Sequence, residues 1–150
     1  MKNINFFKVN IFKFTALFIL LFLYIFINCF IYVNNIASNL QKNVFRLHVI
    51  ANSDEEEDQN LKYKIRDNLI NYMNLLCLNS TSKEETIKIV SNNLDNFTHI
   101  ANQTIIDNGF NYNASIEIGN FEFPTKKYGD IAFPAGYYDA LEVKIGKASR

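Results

Sequence analysis

The sequence predicts an α+β domain of order β-α-α-β-β-β, with two helices packed on a mainly antiparallel sheet, behind a single N-terminal transmembrane or signal-anchor helix. Three patterns carry this expectation. Residues Phe14–Val33 are apolar and uncharged but for Thr15 and Asn28, two later segments open on Ser-x-x-Glu boxes and repeat apolar residues every three or four positions, and from Phe110 the apolar period falls to two. Helical spacing buries one stripe of a helix and alternation buries one face of a strand, so helices laid on a sheet follow.

The first element is the apolar helix. Its 20 uncharged residues extend ~30 Å as a helix, the thickness of a bilayer's hydrocarbon core. A buried core helix would keep a polar face, and this stretch has none. Its run exceeds the ~7–15 apolar residues of an ordinary signal peptide, and Ile36-Ala37-Ser38 is a poor cleavage pattern. An uncleaved signal-anchor is the first expectation, with a cleaved signal peptide the alternative. Lys2, Lys8 and Lys13 precede the span while Lys42 and Arg46 follow it, which favours a cytoplasmic N-terminus and places later residues outside. Residues 1–33 are thus read as signal or anchor, 34–43 as an Asn-rich linker, and 44–150 as an extracytoplasmic domain.

Within that domain, Val44–Ile50 alternates as a strand with Phe45, Leu47 and Val49 on one face. Ser53 with Glu56 forms a capping box, and Asp54–Asp58 place negative charge at the positive end of a helix that carries Leu61, Ile65, Leu69, Tyr72, Met73 and Leu76 to about Leu78. A second box, Ser82 with Glu85, starts a helix through Ile87, Val90, Leu94, Phe97 and Ala101 that stops at Gly109. Phe110, Tyr112, Ala114, Ile116 and Ile118 then alternate as a strand. Two more strands are expected around Asp130–Phe133 and Tyr138–Ile145, parted by the turn residues Pro134-Ala135-Gly136.

The net charge of zero is a cancellation. Before Asp54 there are five cations and no acid; from Asp54 onward, 10 basic residues face 15 acidic ones. A net acidic folded part repels phosphates, so no nucleic-acid partner is expected. Cys77 is the only thiol outside the span, which excludes a disulfide within the domain. Five contiguous acids on a helix start lack the spaced ligands of a calcium loop. They read instead as compensation of the helix dipole. Lys62 and Arg66, four apart, are expected to face Asp58 as a solvated ion-pair ladder. His48 and His99 have no companions at ligand or triad spacing, and the glycines form no phosphate loop. Four Asn-x-Ser/Thr sequons arise among 22 asparagines and receive no meaning. The residues therefore indicate a tethered or secreted binding domain with no catalytic residue, metal, cofactor or small-molecule substrate. An envelope hydrolase using His48 with Asp54 or Asp67, and a passive membrane-anchored scaffold, are the competing classes.

Three strings hold more than this physics explains: FRLHVIANSDEEEDQNLKYKIRD from Phe45, FPTKKYG from Phe123 and FPAGYYDALEVKIG from Phe133. With the anchor before them they resemble the stage II sporulation protein R family of endospore-forming Firmicutes, from the anchor to Gly146. The resemblance implies a sporulation signal: a protein made in the forespore, exported into the space between forespore and mother-cell membranes, that triggers a membrane-bound aspartic protease to process pro-sigma-E. The polar signature positions that a core does not require, His48, Asn52, Asp54, Arg66, Asp67, Tyr128 and Asp130, are then expected to contact the partner. The family pattern continues past this last strand with a segment rich in tryptophan and cysteine. This chain ends at Arg150 without a tryptophan, so a C-terminal truncation is expected.

Overall fold

The computed structural model describes residues 2–148, in the order α1 (Lys2–Asn43), β1 (Arg46–Ile50), α2 (Glu56–Leu76), α3 (Lys83–Ser91), α4 (Leu94–Asp107), β2 (Ala114–Phe123), β3 (Lys126–Tyr128), β4 (Ile131–Phe133) and β5 (Gly136–Ile145). Ser149 and Arg150, the last residues of the expected domain, lie outside the described residues. The protein is α+β, with a long apolar helix ahead of a mixed sheet and its helices. Two compact units divide it, residues 1–39 and 40–150.

In the first unit, α1 is long and apolar enough to cross a membrane, with a mean hydropathy of 2.6 and no buried residue in its most apolar window. The polar residues of the span return their donors to the helix itself. Thr15 Oγ1 donates to the Phe12 carbonyl at 2.9 Å and Asn28 Nδ2 to that of Tyr24 at 2.7 Å, which suits a medium that offers no water. Residues 34–43, read from the sequence as a connector, are helical and complete α1.

In the second unit, β5 lies between β1 and β2. It runs parallel to β1, from Arg46 beside Ala140 to Ile50 beside Lys144. It is antiparallel to β2, from Ala114 beside Ile145 to Phe123 beside Gly136. Alternation then separates two faces. Leu141, Val143 and Ile145 join Leu61, Ile65 and Leu69 of α2, Val90 of α3 and Phe97, Ala101 and Ile105 of α4 in the main core. The opposite face buries Phe123, Tyr138 and Ala140, with Val44, Phe121 and Phe133 against them.

Three local details differ from the sequence expectation. The second helix is broken at Asn92-Asn93 into α3 and α4, because the Asn93 side chain donates to the Ile89 carbonyl at 2.8 Å and competes with the backbone ladder. Ser82 does cap α3, accepting from Glu85 N–H at 3.2 Å, while the Glu85 carboxylate takes the Thr81 N–H at 2.9 Å. The strand expected near Asp130 is half of a hairpin, with β3 pairing to β4 across Gly129-Asp130. The strand expected from Phe110 begins only at Ala114 and runs to Phe123. Gly109 (φ 80°) ends α4 in a Schellman turn: Phe110 N–H reaches the Ile105 carbonyl at 3.2 Å and Gly109 N–H that of Ile106 at 2.9 Å.

Gly146 closes β5 at φ 63°, and a Cβ there would collide with Asn52 Oδ1. Gly146→Ala therefore costs a left-handed backbone of about 1–3 kcal/mol as well as the Asn52 contact. Urea unfolding of the full chain should show a lowered midpoint at unchanged slope.

Candidate functional site

The junction of β1 and α2 is organised by a buried carboxylate. Asp58, in the first turn of α2, is 4% exposed. Its Oδ2 accepts from Ser53 Oγ at 2.6 Å and Asn52 Nδ2 at 2.9 Å. Ser53, Asn52 and the Tyr112 hydroxyl together hold the Asp58 carboxyl below the usual range, against the opposing effect of burial. The capping box expected at Ser53 with Glu56 does not form. The helix starts at Glu56 after an Asn-Ser turn, and Ser53 serves Asp58 instead. Asn52 also accepts from Lys147 N–H at 2.9 Å, so one amide ties the start of α2 to the end of β5. Beside it opens a cleft of about 460 Å³ that includes His48, Ile50, Asp54, Gln59, Lys62 and Lys147.

On the sheet face away from the helices, charges come in compensated sets. Glu142, 1% exposed, meets Lys144 Nζ at 2.8 Å and His48 Nδ1 at 3.3 Å, and Lys144 also reaches Glu117 at 2.8 Å. Glu117 and Glu142 together raise the Lys144 pKa. A carboxylate paired with His48 is thus Glu142. Sequence reading overlooked Glu142 because its partner strand lies 94 residues away.

Arg46 occupies the same face, one β1 alternation before His48. Its guanidinium carbon sits 3.9 Å from the ring centre of Phe123, 4.9 Å from Tyr138 and 5.9 Å from Phe133. A groove of about 400 Å³ follows, lined by Val44, Arg46, Leu47, Arg66, Ile70, Tyr128 and Phe133. The fold thereby brings Arg66 of α2 and Tyr128 of β3 to one surface. Tyr128 is 55% exposed and packs edge-on to Phe133 at 5.7 Å.

The seven sequence-chosen residues do not gather at one site. His48, Asn52 and Asp54 lie at the junction, Arg66 and Tyr128 in the groove, Asp67 beside Arg66, and Asp130 at the exposed hairpin turn. The ladder expected from Lys62 and Arg66 to Asp58 is absent: Arg66 pairs with Asp67 at 2.7 Å and Lys62 donates to Gln59. Asp58 points inward, which removed it from that ladder.

Asp58 sets a pH dependence. Its folded pKa is depressed, so its contribution is present above the unfolded value near 3.8 and is lost as pH falls through the lower folded value. Asp58→Ala should cost at least about 1.5–3 kcal/mol, the worth of one hydrogen bond to a charged group. Thermal melts between neutral pH and pH 3 should show the wild type losing part of its advantage over Asp58→Asn toward the acid end.

The family described as stage II sporulation protein R (spore_II_R) matches residues 41–150. Stage II sporulation protein R of Bacillus subtilis (strain 168) is 36% identical over 101 residues, which are 67% of this chain and 45% of that protein. The chain therefore spans about 45% of the length of this relative. No solved structure matches. The match covers nearly all of the second compact unit, including both polar clusters described above, and the chain belongs to the stage II sporulation protein R family.

Proposed function

We propose that this protein is an extracytoplasmic sporulation signal that activates a membrane-bound aspartic protease responsible for processing pro-sigma-E. It acts by binding and not by catalysis. Its first 33 residues serve as signal peptide or anchor, with the N-terminus cytoplasmic, and residues 44–150 work in the space between forespore and mother-cell membranes. The observation that carries this reading is the order of parts: a membrane-length apolar helix directly followed by a domain that matches the family from residue 41 onward.

The partner-contact residues of this reading are His48, Asn52, Asp54, Arg66, Asp67, Tyr128 and Asp130. The groove supports Arg66 and Tyr128 most directly, since exposed arginine and tyrosine on an apolar surface match the composition of binding hot spots. The Asn52 amide is already engaged by Asp58 and Lys147, so its substitution would act first through the fold.

Co-expression of the chain with the protease and pro-sigma-E in a non-sporulating host tests the role. Processing should depend on the chain's presence. Arg66→Glu with Tyr128→Ala should reduce it roughly tenfold or more at unchanged expression, the effect of losing a hot spot. Processing that is indifferent to the chain rejects the proposal.

A further inference from the structure

We propose that the groove between α2, β1 and the β3–β4 hairpin binds an extended segment of a partner protein presenting one large apolar side chain next to a carboxylate. The proposal rests on the signalling role only for the identity of that partner. Its volume of about 400 Å³ is near the lower end of ligand sites of ~300–1,000 Å³. That is room for one or two large side chains and too little for a helix.

The lining is largely apolar, with Leu47 and Phe133 partly buried and Ile70 and Tyr128 exposed at the rim. Both charged lining residues are arginines, and no acidic residue lines the groove. Arg66 has a carboxylate at hand in Asp67. Arg46 forms no ion pair and no side-chain hydrogen bond among the described residues, and its Nη1 is shielded from solvent without an acceptor.

The three rings around Arg46 do not meet that need. Cation–π contact engages the flat faces of a guanidinium, whereas its N–H donors lie in the plane and need acceptors of their own. The buried carboxylates have partners on at least one oxygen: Glu142 meets Lys144, and Asp58 Oδ2 accepts from Ser53 and Asn52. Among the shielded side-chain nitrogens of the described residues, Arg46 Nη1 is the one without an acceptor, and Arg46 also lines the groove. A carboxylate accepts two parallel N–H bonds from arginine. An apolar neighbour on the same segment would fill the groove and exclude water from the pair.

The test uses the full chain in phosphatidylcholine nanodiscs and four fluorescein-labelled tetrapeptides with blocked ends: Ser-Phe-Asp-Ser, Ser-Asp-Phe-Ser and their asparagine counterparts. Anisotropy should show at least one aspartate peptide binding about tenfold more tightly than its asparagine twin, the worth of a charge-assisted bond. Arg46→Met should abolish that difference, and Arg46→Lys should retain part of it. The Tm of Arg46→Met should equal or exceed the wild-type value, since methionine fills the aromatic slot without a bare charge. A large fall in its Tm would make Arg46 a structural residue and overturn the proposal. Ile70→Asp, on the exposed rim, gives an independent variant that should weaken all four peptides. Equal binding of aspartate and asparagine peptides, or aspartate preference that survives Arg46→Met, also overturns it. Neither protease nor pro-sigma-E takes part, so a negative result here leaves the signalling role standing. Failure of the processing assay likewise leaves this measurement intact.

Discussion

The parallel pairing of β5 with β1 is the constraint on which the rest of the domain depends. Parallel neighbours cannot be joined by a tight hairpin; the chain must return the full length of the sheet before it can pair again. Here the whole stretch from Ala51 to Ala135 is that return, and it holds α2, α3, α4, β2 and the small hairpin. With β2 on its other side, β5 becomes the central strand. Leu141, Val143 and Ile145 are buried on one face and Tyr138, Ala140 and Glu142 on the other, the near-continuous burial expected of a strand covered on both sides. A charge placed there must have its own counter-charge, which Lys144 supplies to Glu142.

The same pairing fixes what the polar signature at Asn52, Ser53 and Asp58 does. The carboxyl ends of β1 and β5 finish side by side, and α2 has to start where they finish. Asn52 joins the three by accepting from Lys147 and donating to Asp58. Gly146 must be glycine so that the backbone can approach that amide. These residues are polar because a strand-to-helix turn leaves donors and acceptors that burial would otherwise leave unmet.

How much of this was legible in the sequence depended on the range of the interaction involved. The apolar run of α1, the stripes of α2 and α4 and the cap at Ser82 are local, and each is found where the periodicity placed it. The alternation of Phe45, Leu47 and Val49 correctly identified the face of β1 turned to the helices. The Asn92-Asn93 break, the exchange of Ser53 from backbone cap to Asp58 partner and the β3–β4 hairpin were not legible. Each turns on a competition between nearby polar groups that composition leaves balanced. The His48–Glu142 pair and the meeting of Arg66 with Tyr128 depend on strand order, which no local pattern encodes. Asp58 was hidden among neighbouring acids, and only its inward placement distinguishes it from Glu56 and Glu57.

Strand β1 shows how one alternation serves two purposes. Its odd-numbered side chains, Leu47 and Val49, are spent on the main core, while Arg46, His48 and Ile50 belong to the opposite face. There the upper half is balanced, with His48, Glu142, Lys144 and Glu117 forming a connected set of both signs. The lower half is aromatic and holds a single cation. Stability alone does not require that arrangement, because an apolar residue in the slot of Arg46 would keep the packing against Phe123 and Tyr138 without desolvating a charge. Cation–π contact offsets part of that desolvation, about 0.5–2 kcal/mol, yet leaves the in-plane donors unused. The domain thus carries a guanidinium nitrogen without an acceptor in a residue that lines an apolar groove, and the two features gain from each other only when something else is bound between them.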